Sequence, residues 1–287
     1  MIKIGIIANL STRAAEVDIT QISGYIESKG GSCYELKVRE TVNELMENFT
    51  DISDLPEDTV CVLVLGGDGT IIQAARELAP TGIPILGVNL GTVGFLAEIE
   101  YEHIHKAIDA VFNGNFHLEK RFMIKGKVTK EGKTVYEANA LNDIVVARGS
   151  FVRATSTAIY IDENPMTNLY GDGVIVTTPT GSTGYNLSSG GAIIMPDAEV
   201  IGILPICPHS LNSRGVIASA SAKVDIVVEW NKKSDPEEAV VSFDGNKGIR
   251  LMPGDRVEIV KSELVVPFLR INDFKFFESI KRKFLDI

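Results

Sequence analysis

The chain has 287 residues, and its 28 Lys and Arg against 38 Asp and Glu give a formal charge of −10. With 45% hydrophobic and 23% charged residues it has the composition of a globular protein, and its length favours two domains. The acidic balance argues against nucleic acid and anionic membranes as partners, because both require clustered basic charge. No apolar run reaches the roughly 18–20 residues of a membrane-spanning helix.

The cysteines and the first residues indicate the compartment. Cys33, Cys61 and Cys207 are far apart and odd in number, which provides neither a disulfide framework nor a paired-cysteine metal site. We therefore predict no metal site built from protein side chains alone. The opening segment MIKIGIIANL lacks the longer apolar core and the cleavage site of a signal peptide, and it predicts a strand instead. We expect a cytoplasmic protein.

Residues 1–100 alternate strand and helix patterns. Apolar runs predict four strands, at Ile2–Ile7, Ser32–Val38, Val60–Leu65 and Ile83–Val88. Helical spacing predicts three helices, at Glu16–Ser28, Val42–Phe49 and Ile71–Leu78. Repeated βα units predict a doubly wound, Rossmann-like α/β domain. The phenylalanine-rich residues 266–287 predict a strand and a helix that return to complete this domain.

Residues 101–265 predict a β-rich second domain. After one helix at Tyr101–Phe112, turn signals recur at Lys130–Lys133, Asp162–Pro165 and Asp244–Asn246. Strands are predicted at Asn139–Arg148, Ser156–Ile161, Gly173–Thr177, Lys223–Glu229, Ala239–Phe243 and Arg256–Val260. Many short strands separated by turns are typical of an all-β, sandwich-like fold.

The segment Gly66-Gly67-Asp68-Gly69-Thr70 lies between a buried strand and a helix. Glycines let a ligand approach the backbone, free N–H groups at a helix start bind anions, and Thr70 is predicted to cap the helix. A carboxylate among such amides could orient an attacking hydroxyl, accept its proton, or hold a divalent cation against phosphate. The alternative is a tight turn in which Asp68 is a capping residue.

Two further glycine clusters follow. Gly87–Leu96 reads GVNLGTVGFL, and Gly171-Asp172-Gly173 precedes the segment TTPTGSTGYNLSSGG at 177–191. The hydroxyls and glycines of 177–191 could bind ribose, phosphate and base edges, whereas the plainer alternative is a polar loop. Neither a dinucleotide fingerprint after the first strand nor a P-loop is present. Ser182 is not a nucleophile elbow, because Thr180 stands where GxSxG requires glycine.

Together these segments resemble the NAD kinase family. The motifs that carry the resemblance are GGDGT (66–70), GVNLGTVGFL (87–96), ALND (140–143), GDGVIVTTPTGSTGYNLSSGG (171–191), ICPHSLNSR (206–214) and SFDGN (242–246). GGDGT is shared with diacylglycerol- and sphingosine-type lipid kinases, whereas TPTGST after GDG is far more specific. The resemblance implies an α/β N-terminal domain and an all-β C-terminal domain, with the tail returning to the first.

The resemblance also implies an activity. It is transfer of the ATP γ-phosphoryl to the 2′-hydroxyl of the adenosine ribose of NAD, which yields NADP. NAD and ATP would be the small-molecule partners, Mg²⁺ or another divalent cation would arrive with ATP, and a homodimer or homotetramer is implied by analogy. Asp68 takes the catalytic position that activates the hydroxyl. Substrate or nucleotide contacts are implied for Gly69, Asn142, Asp143, Arg153, Asp172, Thr183, Gly184, Tyr185, Asn186, Leu187, Ser188 and Asn246.

The chain departs from the family pattern at two places, and two rival functions stay open. Gly184 replaces the alanine that is more usual before the tyrosine, and Gly215 follows Arg214 where proline is common. Both add flexibility and neither removes a functional group. The rivals are a lipid kinase that shares GGDGT and a non-catalytic nucleotide-binding module that has lost turnover.

Overall fold

The computed structural model describes residues 1–8, 19–36, 38–40, 48–91, 94–149, 154–230, 238–246, 248–271 and 276–284. The described residues form two compact units. Unit 1 comprises those of Met1–Val42, Asn48–Lys120 and Val265–Ile287, and unit 2 comprises those of Arg121–Leu264. Within these described ranges no helix has the length and apolarity needed to cross a membrane.

The elements are numbered in chain order. The strands are β1 (Lys3–Ala8), β2 (Ser32–Leu36), β3 (Val38–Glu40), β4 (Asn48–Thr50), β5 (Cys61–Leu65), β6 (Ile85–Asn89), β7 (Ile99–Glu100), β8 (His117–Lys130), β9 (Lys133–Ala140), β10 (Asp143–Arg148), β11 (Thr155–Ile161), β12 (Asn164–Gly171), β13 (Gly173–Thr177), β14 (Val200–Ile206), β15 (Val216–Ser219), β16 (Val224–Glu229), β17 (Ala239–Phe243), β18 (Ile249–Leu251) and β19 (Arg256–Arg270). The helices are α1 (Ile19–Ser28), α2 (Asp68–Leu78), α3 (Ile104–Phe112), α4 (Tyr185–Ser188) and α5 (Phe276–Phe284).

Unit 1 is an α/β unit with a parallel sheet in the order β2-β1-β5-β6-β7. Every residue of β5 is buried, as expected of a central parallel strand covered on both faces. Phe268, near the end of β19, pairs with Ile85 of β6, so the C-terminal segment joins this sheet. The core combines strand and helix residues such as Ile4, Ile22, Leu63, Ile108 and Leu269. The predicted α/β fold is confirmed.

Two local predictions in unit 1 are wrong. The helix predicted over Val42–Phe49 fails at its end, because Asn48–Thr50 is β4 and pairs antiparallel with β3; residues 42–47 lie outside the described ranges. Phe49 and Thr50 belong to the residue types that favour strands. Thr70 does not cap its helix, since α2 begins at Asp68 and its N-cap residue is Gly67. The capping position is therefore taken by a residue without a side chain.

Unit 2 is built from antiparallel strands. One sheet has the order β15-β14-β13-β10-β17-β18, and a second set runs β12-β11-β16-β19, with a β8-β9 hairpin. Both sets contribute to one core, which includes Ile144, Val176, Phe243, Ile159, Ile226 and Ile259. Two sheets that bury their inner faces against each other form a sandwich. The predicted β-rich, sandwich-like fold is confirmed.

The three predicted turns of unit 2 share one backbone geometry. Each has two consecutive residues with positive φ, the conformation that matches the twist of tight hairpins. The pairs are Glu131 and Gly132 (48° and 76°), Asp162 and Glu163 (49° and 66°), and Asp244 and Gly245 (50° and 72°). Aspartate tolerates this left-handed region better than most residues do.

The single strand predicted over Asn139–Arg148 is wrong in one respect. It is two strands, β9 and β10, separated by Leu141 and Asn142. The polar pair Asn142-Asp143 interrupts the apolar residues here, but two polar residues within a strand pattern do not by themselves show where one strand ends and the next begins. The strand predicted at Arg256–Val260 exists but continues to Arg270 as β19. The break at 141–142 matters most, because the turn that it creates carries the predicted site residues Asn142 and Asp143.

Candidate functional site

Asp68 lies at the carboxyl end of the central strand β5, as the first residue of α2. Its Oδ2 accepts the backbone N–H of Phe95 at 2.9 Å, and its Oδ1 accepts that of Leu96 at 3.2 Å. The carboxylate therefore links the first two glycine clusters. It is half-buried, and a Cβ built on the exposed Gly67 or Gly69 would meet no described atom within 4 Å. The start of α2 thus leaves room for a ligand beside the carboxylate.

Two glycines around Asp68 are required by packing. A Cβ on Gly94 would lie 2.0 Å from Asp68 Oδ1 and 2.5 Å from its Cγ. A Cβ on Gly66 would lie 2.6 Å from Thr70 Oγ1. Real side chains do not approach this closely, so both positions need glycine for contact rather than for backbone angle. Gly94 in particular lets the 94–96 segment close over the carboxylate.

Arg270, at the end of β19, supports the same segment from its carbonyl side. Its Nη1 donates to Leu96 O at 3.2 Å and to Glu98 Oε2 at 3.2 Å, and its Nε donates to Glu119 Oε2 at 2.9 Å. The Arg270 side chain is only 3% exposed. Leu96 is therefore held by Asp68 at its N–H and by Arg270 at its carbonyl. No sequence motif pointed to Arg270.

In unit 2, the turn between β9 and β10 is held by one carboxylate. Asp244 Oδ2 accepts Leu141 N–H at 2.8 Å, and its Oδ1 accepts Asn142 N–H at 2.7 Å and Asp143 N–H at 3.1 Å. Its own N–H donates to Asp143 O at 2.9 Å. Sequence reasoning missed this residue. The Asp-Gly turn signal was visible, but its three amide partners lie about 100 positions away.

The opposite side of this turn is bound by the TTPTGS loop. Thr178 Oγ1 donates to Leu141 O at 2.6 Å, and Thr178 N–H donates to Asn142 O at 2.8 Å. A Cβ on Gly181 would lie 2.2 Å from Asn142 O, so the loop needs glycine there to approach. Two motifs that are distant in sequence, ALND and TPTGS, are thereby brought together.

The polar side chains of the turn, Asn142 and Asp143, are the groups that a ligand could engage. Asn142 Oδ1 is buried and has no hydrogen-bond partner among the described residues. A buried acceptor without a donor costs free energy, which indicates that a ligand or water supplies one. Asp143 is buried, and this burial, followed by the charge of Asp244, raises the pKa of its carboxyl to about 7. The site thus holds one open acceptor and one carboxyl that titrates near neutrality.

In the loop at 182–188, some side chains hold the loop together and others face solvent. Asn186 is buried, and its Nδ2 donates to Ser182 O at 3.1 Å and to Ala192 O at 3.0 Å. Ser182 Oγ is also buried and donates to Pro179 O at 2.7 Å. Gly184, Tyr185 and Ser188 are exposed, and Thr183 and Leu187 are half-buried. A ligand at this loop would meet the exposed residues first, and the hydrogen bonds of Asn186 hold the loop in shape.

Asp172 lies apart from this turn. It stands before β13, whereas Thr177 ends that strand, so five residues, or about 16 Å, separate Asp172 from Thr177. Its carboxylate pairs with Arg148 Nε at 3.1 Å. The structure therefore does not bring Asp172 next to Asn142 within unit 2. Asn246 does lie near, two residues after Asp244 in the same turn. Arg153 lies outside the described residues.

Two family models and several relatives match this chain. The family model described as ATP-NAD kinase N-terminal domain matches residues 18–116, and the ATP-NAD kinase C-terminal domain matches residues 141–271. A protein named NAD kinase from Lachnoclostridium phytofermentans is 43% identical over 290 residues, which covers 100% of both chains. One from Acetivibrio thermocellus is 37% identical and covers 100% of this chain and 98% of its own. The chain belongs to the NAD kinase family.

Solved structures of NAD kinase relatives share the fold. Yeast NADH kinase complexed with NADH superposes with a TM-score of 0.81 at 21% identity, covering 100% of this chain and 89% of that one. An NAD kinase from Archaeoglobus fulgidus in complex with ATP gives a TM-score of 0.74 at 23% identity, with both chains fully covered. The α/β and β-rich units described above are thus the fold of the NAD kinase family.

The described part of this NAD kinase family member holds no group of three or more His, Cys, Asp or Glu side chains suited to a metal. Among the described residues, the carboxylate in the first turn of α2 is that of Asp68. A single carboxylate suits Mg²⁺ that keeps most of its ligands as water and substrate phosphate oxygens. The residues present therefore fit a cation that is shared with a nucleotide.

Proposed function

We propose that this chain transfers the γ-phosphoryl group of ATP to the 2′-hydroxyl of the adenosine ribose of NAD, producing NADP and ADP. The ribose 2′-oxygen forms a bond to the γ-phosphorus, the bond from that phosphorus to the β,γ-bridging oxygen breaks, and the hydroxyl proton leaves. Family membership supports this reaction. The single observation that carries it is the Asp68 carboxylate, fixed by two backbone amides at the open start of α2.

Asp68 is the proposed catalytic residue, which orients the hydroxyl and accepts its proton. A positioned base of this kind contributes roughly 10²- to 10⁴-fold in rate. Gly67 and Gly69 leave the first N–H groups of α2 uncovered by side chains, and helix N-termini attract phosphate. Phosphoryl transfer needs mainly positioning and charge stabilisation, which this arrangement supplies.

Asn142 and Asp143 are the proposed centre of NAD binding in unit 2. Asn142 Oδ1, which has no hydrogen-bond partner in the described part of the chain, suits a carboxamide or hydroxyl donor of the dinucleotide, and the Asp143 carboxyl suits a ribose hydroxyl. Tyr185, which is 46% exposed, offers its ring to the adenine. The remaining proposed contacts are Gly69, Arg153, Asp172, Thr183, Gly184, Asn186, Leu187, Ser188 and Asn246.

Mg²⁺ on ATP is the proposed cofactor, and phosphate oxygens and water would hold it, which leaves the Asp68 carboxylate available to accept the proton. When bound, such a cation neutralises charge on the phosphate oxygens. A cytoplasmic location and a homodimer or homotetramer complete the proposal, the latter by family analogy alone.

One assay tests the reaction against its rivals. The protein is incubated with Mg²⁺-ATP and NAD, then with Mg²⁺-ATP and diacylglycerol, and NADP is followed with an NADP-specific dehydrogenase. We expect NADP in the first reaction and no lipid phosphorylation in the second. Phosphorylated lipid would favour the lipid-kinase alternative, which neither matched domain favours. NAD binding without NADP formation at saturating substrates would instead identify a non-catalytic module.

A further inference from the structure

The turn Leu141–Asp143 has every backbone hydrogen-bonding group engaged. Its three N–H groups reach one carboxylate, that of Asp244, at 2.7–3.1 Å. Its carbonyls accept from Thr178 Oγ1, Thr178 N–H and the N–H of Asp244 itself. All three N–H groups of the turn are thus engaged and each carbonyl already accepts a hydrogen bond, so side chains are the main groups that the turn offers to a substrate. The orientation of those side chains depends on the groups that bind the backbone.

Asp244 has the geometry for this role. It lies in a hairpin turn with φ of 50°, followed by Gly245 at 72°, which aims its carboxylate back across β10. Backbone pairing of β10 with β17 places Ile144 opposite Phe243, so the carboxylate is anchored by a sheet. A carboxylate that accepts several amide N–H groups forms stronger hydrogen bonds than neutral acceptors form. Asp244 is therefore a fixed reference point for the Asn142 and Asp143 side chains.

We propose that Asp244 is a positioning residue for the dinucleotide substrate, which acts by clamping the Leu141–Asp143 turn against Thr178 so that the Asn142 and Asp143 side chains face the ligand. It contacts the turn and not the reacting atoms. The proposal rests on the proposed function, because Asn142 and Asp143 are its assumed substrate contacts.

Loss of the Asp244 carboxylate should weaken NAD binding and leave the phosphoryl-transfer step unchanged. Loss of the clamp displaces side chains that hold NAD, whereas Asp68, which belongs to unit 1, keeps its own partners. The pH dependence offers a second signature. Asp143 faces the charge of Asp244 from the β17 turn and the uncharged Thr177 from β13. Removing the Asp244 charge therefore lowers the pKa of Asp143.

The test is Asp244→Asn, since asparagine also accepts positive φ but offers one oxygen instead of two. At least one of the three amides then faces an NH₂ group. We expect KM for NAD to rise about 10-fold or more, with kcat within about threefold of wild type. The midpoint of the pH dependence of kcat/KM should move to lower pH. Combination with Asn142→Ala should be less than additive, because both changes act on one contact.

The matched control is Asp162→Asn. Asp162 has φ of 49° in another hairpin, and its Oδ1 likewise accepts a backbone N–H, that of Lys223, at 2.9 Å. This control should leave KM within about twofold of wild type. If Asp244→Asn does not fold, Thr178→Val, which removes the hydroxyl donor to Leu141 O, tests the same clamp, and Thr178→Ser should restore wild-type KM.

Several results would overturn the proposal while the wild-type protein still forms NADP. One is an unchanged KM and pH midpoint in Asp244→Asn. Another is full additivity of Asp244→Asn with Asn142→Ala. If Thr178→Val is used instead, a wild-type KM in that variant would overturn the proposal. Absence of NADP from wild-type protein would instead contradict the proposed function. The two failures are therefore distinguishable.

Discussion

Replacing Gly94 by alanine should lower kcat about 100-fold by displacing the Asp68 carboxylate. The added Cβ would lie 2.0 Å from Asp68 Oδ1, whereas ordinary contact begins near 3.4 Å, so the two groups must separate by 3.4 − 2.0 = 1.4 Å. Misplacement of a catalytic group by about 1 Å can cost about 100-fold in rate. Movement of the 94–96 backbone instead would break the bonds from Phe95 and Leu96, with the same result.

The assay compares kcat for NADP formation, normalised to the folded fraction from thermal melts, with Kd for NAD. We expect kcat to fall about 100-fold and Kd to stay within about threefold of wild type. Gly24→Ala is the control, since Gly24 is exposed in α1 and its added Cβ would meet no described atom within 4 Å. It should keep full kcat and gain about 0.5–1 kcal/mol in stability. A folded Gly94→Ala protein with wild-type kcat would refute the reasoning.

Two further predictions concern stability. Arg270→Met should lower the free energy of unfolding by about 3–5 kcal/mol, because Glu98 and Glu119, with side chains 10% and 18% exposed, lose their buried partner. Urea unfolding measures this, the exposed Arg250→Met is the control, and equal losses in both variants would contradict it. Asp143→Asn should alter the pH dependence of stability. The folded carboxyl keeps its proton up to a pKa of about 7, against an ordinary 3.8, so wild-type stability falls between about pH 4 and 7, by up to about 4 kcal/mol. The asparagine variant lacks this fall, and parallel melting profiles of the two proteins would be inconsistent with a raised pKa.

The sequence predicted elements wherever local pattern and tertiary role agree. β13 and β17 have the predicted bounds, since each is a short β-branched run between turn residues. β12 was missed because its sequence, NPMTNLYG, is largely polar and lacks a clear alternation of apolar and polar residues. β14 was missed although it is apolar, because Pro205 within it argues against a strand.

The site was predictable where residues of one motif act together, and not where distant residues meet. GGDGT placed Asp68 at a strand end from local spacing alone. The partners of that carboxylate, Phe95 and Leu96, contribute backbone amides, which no residue type reveals. Asp244 and Arg270 act over about 100 and 170 positions of sequence, through contacts that only the folded chain creates. The substrate contact expected of Asn186 stays a prediction, and nothing in the sequence indicated that its buried amide also donates to Ser182 O and Ala192 O within its own loop.

The most direct test of the central claim is the rate of NADP formation by Asp68→Asn, with NAD binding measured on the same protein. Asparagine keeps the size of the side chain and one acceptor oxygen, but it cannot take up the hydroxyl proton. We expect Kd for NAD to stay within about threefold of wild type, while kcat falls by at least about 100-fold. An Asp68→Asn protein that forms NADP at the wild-type rate would contradict the central claim.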